Sequence, residues 1–254
     1  MANDEIINRF LDFREGDASH GWNTLGDPNV KNVMLRDYFT GIALDTTNDW
    51  AAAEPGSGDS WAITEIQGGA VLGTTGTVDN DSIMLSSAVI FSGSKRAWCE
   101  VDLTITTVAG IGVCVGFSDE KAESNNSMAF QFDDGTFSAT ATDGACIVID
   151  ADELTSSINA VSAQTSGGAT TPVDMGDDWT DGQRRTIRIE YTGDGTRATY
   201  RYWNSDGTGT VRSAQIPDSA TAATLMCVTI QAITRAGSGG GTVRVHSVKA
   251  GQDL

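Results

Sequence analysis

The sequence predicts an all-β fold, an antiparallel β-sandwich, and three observations carry that expectation. From Thr186 to Tyr191 polar and apolar residues alternate, a Thr192-Gly193-Asp194-Gly195-Thr196 turn follows, and Ala198, Tyr200 and Tyr202 then alternate with Arg197, Thr199 and Arg201. That is the pattern of a β-hairpin with one buried face, and Ile187, Ile189 and Tyr191 on that face need a second layer to cover them. The chain holds 29 Gly against 4 Pro, with Ser, Thr, Asp and Asn abundant between short apolar runs, the punctuation of many turns joining many short strands. Helical periodicity is nearly absent after the first residues. A length of 254 residues suits one large domain and an arm.

Composition excludes partners before it identifies any. With 34 Asp and Glu against 16 Lys and Arg the net charge is −18, which repels phosphate backbones and anionic lipid, so neither nucleic acid nor a membrane is expected as a partner. The same acids keep a β-rich surface soluble and discourage edge-to-edge association. No apolar run approaches the roughly 20 residues that span a bilayer. The start, MANDEIINRF, carries acids where a secretory signal would be basic, so no export signal is expected. Cys99, Cys114, Cys146 and Cys227 lie far apart inside apolar runs, which favours buried free thiols over disulfides or zinc.

Taken in order, residues 1–35 form an arm and residues 36–254 the sandwich domain. Ile6, Ile7, Phe10, Leu11 and Phe13 recur at near-helical spacing and form a short amphipathic helix. Its apolar face packs either on its own domain or on another subunit, and in the second case these five residues are the assembly interface. β logic is expected from Asp37. Trp61, Ile63 and Ile66 alternate before Gly68–Gly73, and Ser82–Leu85 and Ala88–Phe91 read as paired strands near a sheet edge. Cys99, Val101, Leu103 and Ile105 alternate with polar residues, Val108-Ala109-Gly110 turns the chain, and Ile111, Val113, Val115 and Phe117 follow with Gly112, Cys114 and Gly116 between them. Glycines on the outer face of a strand imply something packed close against it. Phe130 and Phe132 lead through Asp133-Asp134-Gly135 to a partner strand at Phe137–Ala141, and Cys146–Ile149 makes another. Residues 150–178 read as a long polar loop over one end of the sandwich. After the hairpin, Ile216-Pro217, an apolar strand with Met226, Val228, Ile230 and Ala232 on one face, and Thr242–Val248 close the chain.

The order Trp179, Ile187-Arg188-Ile189-Glu190-Tyr191, a Gly-Asp-Gly turn, Tyr200-Arg201-Tyr202, Ile-Pro, an apolar strand and a terminal Val-x-Val-x-x-Val resembles the second half of a concanavalin A-like lectin/glucanase jelly roll. Trp98–Leu103 and Ile111–Ser118 resemble the preceding strand pair in laminin G-like members, and the likeness covers residues from about 37 to 249. Three chemistries follow from it. Glucanases of this fold use Glu-x-Asp-x-x-Glu, whose glutamates act as nucleophile and acid; here Glu100 and Asp102 are followed by Ile105, so no catalytic residue is assigned and the chain is not expected to be an enzyme. Nor do His20 and His246 lie in any nucleophile motif. Lectin-like members often hold calcium, but Asp79-Asn80-Asp81, Asp133-Asp134 and Asp174–Asp178 follow no calcium-loop pattern and read as turns, so no metal or cofactor is assigned. Sugar binding would stack an exposed ring on a pyranose. Trp50, Trp61, Trp179 and Trp203 all flank turns, where they either stand at a rim or cap the core.

A lectin-like jelly roll with free cysteines, an amphipathic N-terminal stretch and no export signal also resembles bacteriophage virion proteins: capsid decoration proteins, head fibres and tail-associated domains. The expected function is that of a non-enzymatic virion structural protein, assembled in the host cytoplasm with itself and other virion proteins, trimers being common among such parts. The alternative is a carbohydrate-binding module with glycans as partners, in a receptor-binding role.

Overall fold

The computed structural model describes residues 22–23, 32–47, 49–64, 66–121, 127–153, 157–165, 168–195, 197–235 and 240–253. Ile6, Ile7, Phe10, Leu11 and Phe13 therefore lie outside the described residues, as does His20.

The strands in chain order are Trp22–Asn23 (β1), Asn32–Asp37 (β2), Ala51–Ala53 (β3), Ser60–Thr64 (β4), Ala70–Thr74 (β5), Ser82–Ser86 (β6) and Phe91–Ser92 (β7). Trp98–Ile105 (β8), Ile111–Ser118 (β9), Phe130–Asp133 (β10), Thr136–Ala139 (β11), Gly144–Asp150 (β12) and Ser157–Gln164 (β13) follow. Gly168–Ala169 (β14), Val173–Asp178 (β15), Arg184–Tyr191 (β16), Arg197–Asn204 (β17), Arg212–Pro217 (β18), Leu225–Thr234 (β19) and Thr242–Asp253 (β20) complete the set.

Every pairing among the described residues is antiparallel. One sheet runs β1-β2-β20-β8-β16-β17-β18, with β5 on β20 and β4 on β5; the other runs β14-β13-β12-β9-β19-β6-β3, with β15 on β13 and β7 on β19. β20 borders β5 through Thr242–Val245 and β2 through Val248–Asp253, with the register against β8 shifting at His246, so one long strand receives two shorter ones along one edge.

The alternation read from the sequence is the alternation observed. Cys99, Val101, Leu103 and Ile105 of β8 are buried between the sheets with Ile187, Ile189 and Tyr191 of β16. They meet Val113, Val115 and Phe117 of β9 and Val228, Ile230 and Ala232 of β19 from the opposite sheet. The outer face of the second sheet is covered too. The β10–β11 hairpin lays Phe130 and Phe132, with Phe137 packed against them, over Cys114, Cys146, Val148 and Val161, a second core outside the sandwich. Phe130 and Phe137 stack at 6.3 Å between centroids. Gly112 and Gly116 have close neighbours from the adjoining strands: a Cβ on Gly112 would lie 2.8 Å from Ile233, and one on Gly116 2.2 Å from the Ala145 carbonyl oxygen. All four cysteines are free and buried; burial pushes the Cys99 and Cys227 thiols up to about 12, which removes their reactivity near neutral pH.

Three expectations are corrected. Residues 150–178 are not a single loop: Ser157–Gln164 is an inner strand pairing with both β12 and β15. Both of its faces mix apolar with small or polar residues, Ile158, Ala160 and Ser162 on one and Asn159, Val161 and Ala163 on the other, which gives no hydropathy alternation. Ser82–Ser86 and Phe91–Ser92 do not pair with each other, since both pair with β19. The strand preceding the Tyr38–Gly41 region begins at Asn32, ahead of Asp37.

Candidate functional site

Three of the four tryptophans considered for sugar stacking are core residues. Trp50 is buried, its ring centroid 5.7 Å from that of Phe39, and its indole N–H donates to Asp37 Oδ2 at 2.9 Å. Trp61 is buried across Gly73, where an added Cβ would meet its ring at 2.6 Å. Trp179 is buried and donates to the Gln183 carbonyl at 3.1 Å. A ring that stacks on a pyranose needs an open face, and these rings instead close the ends of the sandwich. Trp203 is half-buried and stands on the outer face of β17, in register with Thr186.

The residues that follow Trp203 in the chain border an open groove of about 450 Å³ lined by Gln183, Arg184, Asn204, Ser205 and Asp206. It forms where β16 begins and β17 ends, at the end of the hairpin opposite the Thr192–Gly195 turn. The period of two places Trp203 and Ser205 on the outer face and Asn204 on the inner one, so the groove draws side chains from both faces at a strand end. Each polar group is held. Ser205 Oγ donates to Asp102 Oδ1 at 2.7 Å and lies 3.0 Å from Thr186 Oγ1. Arg184 Nε donates to both Asp102 oxygens at 3.0 Å. Gln183 Nε2 donates to Asn204 Oδ1 at 2.9 Å, and Asn204 Nδ2 to Thr208 Oγ1 at 3.3 Å. The exposed Asp206 carboxylate accepts from the Thr208 hydroxyl and amide, bonds that hold its pKa below the usual carboxylate value. The groove thus offers carboxylate, amide, hydroxyl and guanidinium groups.

The rest of this outer face is charge-paired. Arg188 stacks on the half-buried Trp98 at 4.7 Å and pairs with Glu100, which also binds Lys249 at 2.7 Å. Ile105, at the position where the glucanase motif has its second glutamate, is buried in the core. His246 Nε2 lies 3.0 Å from Thr104 Oγ1. Burial, with the Arg184 guanidinium next, lowers the His246 pKa below its ordinary value of 6.5. A His lowered on folding binds its proton less readily than in the unfolded chain, so its contribution is intact above about 6.5 and is lost as pH falls below it. Thermal melts at pH 7.5 and 5.5 are expected to show a smaller loss of Tm in His246→Gln than in the parent; equal losses would count against this titration.

The acidic segments serve as turns and locks. Asn80 and Asp134 adopt positive φ, Asp81 Oδ2 accepts from Val78 N at 3.1 Å, and Asp174 Oδ1 from Gly176 N at 2.7 Å. Among the described residues no group of three or more His, Cys, Asp or Glu is placed to hold a metal ion. Sequence reading found Trp203 but missed Gln183, Arg184, Asn204, Ser205 and Asp206 as a set. Arg184 opens β16 and Asn204 closes β17, with Gln183 just before the first and Ser205 and Asp206 just after the second, and only the hairpin register brings them together.

No protein-family model and no characterised protein matches the chain by sequence. Structures do match. Peanut lectin with a nine-residue peptide superposes with a TM-score of 0.61 at 8% identity, covering 89% of this chain and 99% of the lectin. Winged bean acidic lectin in complex with methyl-α-D-galactose gives 0.57 at 11% identity over 88% and 99%. A protein of unknown function from Shewanella oneidensis MR-1 gives 0.56 at 10% identity over 97% and 93%. At these identities the likeness is one of fold, and that fold is the concanavalin A-like lectin jelly roll.

Proposed function

We propose that this chain is a non-enzymatic, lectin-like carbohydrate-binding module that takes a saccharide in the groove beside Trp203. The observation that carries the reading is the groove itself: about 450 Å³ of open space lined by fixed hydrogen-bonding side chains, with the partly exposed Trp203 adjoining Asn204 in the chain. Its volume falls within the range of small-ligand sites. Sugar hydroxyls both donate and accept, so Asp206 and Asn204 suit the former and Arg184 and Gln183 the latter, while the apolar face of a pyranose suits Trp203. Solved structures of this fold include a lectin complexed with methyl-α-D-galactose, which supports the same ligand class.

The test is a glycan array probed with the full chain displayed multivalently, since avidity brings out weak single-site binding. Specific binding is expected, with Trp203→Ala lowering single-site affinity by roughly tenfold, the stacking share of about 1 kcal/mol plus lost contact area. An array that stays blank would remove the reading. The virion role rests on the arm at residues 1–35 and on context, and the described residues hold no observation that favours it over sugar binding. The two roles are compatible, because a particle's outer protein can carry a glycan site.

A further inference from the structure

Immediately behind the groove lies a buried cation with unused donors. Arg185 is directly opposite Asn204 in the β16–β17 register, and the period of two puts Gln183 and Arg185 of one strand and Tyr202 and Asn204 of the other on the same, inward side. An arginine among Ile187, Ile189 and Tyr191 on a core-facing row is out of pattern, and only 4% of its surface is exposed. Its guanidinium lies 5.4 Å from the Trp179 ring centroid and 5.2 Å from that of Tyr202. Its Nη2 meets Asp177 Oδ2 at 3.1 Å, while Nε and Nη1 are buried without a hydrogen-bond partner in the protein, as is the Tyr202 hydroxyl. Leaving such donors unpaired is costly, and more so on a charged group. The Asp177 side chain is 41% exposed in β15 and its Oδ1 accepts from the Asp178 amide at 3.0 Å, so the carboxylate that Arg185 meets stands at the solvent boundary. Gln183 and Asn204, hydrogen-bonded to each other, both line the groove and adjoin Arg185, Asn204 as its register partner and Gln183 two residues before it.

We propose that the saccharide taken in the groove carries an anionic oxygen group, a carboxylate or a sulfate, and that Arg185 receives it in place of Asp177. The inference rests on the carbohydrate reading and adds the ligand's charge class to it. Once Asp177 leaves Nη2, the planar guanidinium held between two rings presents a two-pronged N–H edge, Nη2 with Nε or with Nη1, which matches two oxygens of one anion. The Tyr202 hydroxyl, beside it, supplies a further donor. The Arg184 guanidinium in the groove wall and Arg212, in register with Tyr202, add positive charge at this end of an otherwise strongly acidic protein. Asp177 acts as the resident counter-ion that keeps Arg185 neutralised until a ligand anion replaces it.

The experiment compares neutral, uronate-bearing and sulfated oligosaccharides on the same array, followed by titration of the full chain with free glucuronate-terminated and sulfated oligosaccharides. Acidic glycans are expected to bind in preference to their neutral counterparts. Asp177→Asn, which removes the competing carboxylate, is expected to strengthen that binding roughly fivefold, and Arg185→Lys to weaken it about tenfold or more. Because Arg185 is buried, near-ultraviolet circular dichroism checks its variant, and Asp177→Asn decides the matter if that variant does not fold. Neutral glycans binding as tightly as acidic ones, with Asp177→Asn changing neither, would overturn the inference and leave the carbohydrate reading standing. A blank array would overturn both.

Discussion

Asp150→Ala is expected to lower folding stability by about 3–5 kcal/mol, a fall in Tm of roughly 10 °C for a domain of this size. Asp150 and Arg235 are each only 2% exposed. Arg235 Nε donates to Asp150 Oδ1 at 2.8 Å, Nη2 to Asp150 Oδ2 at 2.5 Å and Nη1 to Asn80 Oδ1 at 2.8 Å, with a further bond from Nη2 to the Phe132 carbonyl. Asp150 also accepts from the amides of Phe132 and Asp152 at 3.0 and 3.2 Å. The pair therefore ties three things together: the end of β12, the turn at Asn80 and the hairpin that covers the second sheet. Removing the carboxylate leaves a buried guanidinium with, among the described residues, only the longer contact to Asp152 at 3.5 Å for its charge, which is where the cost arises; the pair as a whole is worth much less than that loss. Adding Arg235→Met to Asp150→Ala should for the same reason recover part of it. Urea unfolding of both variants checks this, and an Asp150→Ala protein within about 1 kcal/mol of the parent would show that the pair does not hold the hairpin.

Gly116→Ala is expected to cost about 3 kcal/mol or more, through overpacking and a disallowed backbone angle together. Gly116 lies in the middle of β9, between Cys146 of β12 and Thr229 of β19, with φ at +155°. A Cβ there would stand 2.2 Å from the Ala145 carbonyl oxygen, 2.7 Å from Ile189 and 2.8 Å from the Cys146 Cα. Two of these three are backbone atoms of a central strand, which have nowhere to go without parting the sheet. Gly207→Ala is the control, because Gly207 has φ of +78° and a Cβ added to it would meet nothing within 4 Å. It pays only the left-handed backbone penalty of about 1 kcal/mol. If Gly116→Ala were no worse than Gly207→Ala in urea, the close strand approach would be wrong.

The groove was partly legible in the sequence. Trp203 follows a strand with a clear period of two and precedes an Asn-Ser-Asp-Gly turn, so an aromatic next to turn carboxylates was visible there. Trp50, Trp61 and Trp179 carried the same signature and face the core, because a turn beside a ring does not say which side of the chain the ring takes. Arg185 did leave a signal: on the row Arg185, Ile187, Ile189, Tyr191 it is a cation at an inward position. What it stacks on depends on Trp179 from the preceding turn and Tyr202 from the partner strand, a contact that no local pattern states. Residues 157–164 show the converse failure. Ile158, Ala160 and Ser162 alternate with Asn159, Val161 and Ala163, but each set mixes one β-branched, one alanine and one polar residue, so no face contrasts with the other and the strand reads as a loop until its neighbours on either side are in place.

By itself the sequence determined the fold class, the strands of high contrast and the central hairpin, because alternation of large apolar with polar residues specifies strand and face locally. It also determined that Gly112 and Gly116 must have something against them. Only the tertiary structure decided what that something is, Ile233 and Asp150 against Gly112 and the Ala145–Cys146 backbone with Ile189 against Gly116, and which tryptophans are core. It alone placed Arg184, Asn204, Ser205 and Asp206 around one groove with Arg185 behind it. The physical reason is that burial on both faces of a sheet, and convergence at the ends of strands, come from pairings between residues distant in the chain, which local periodicity does not encode.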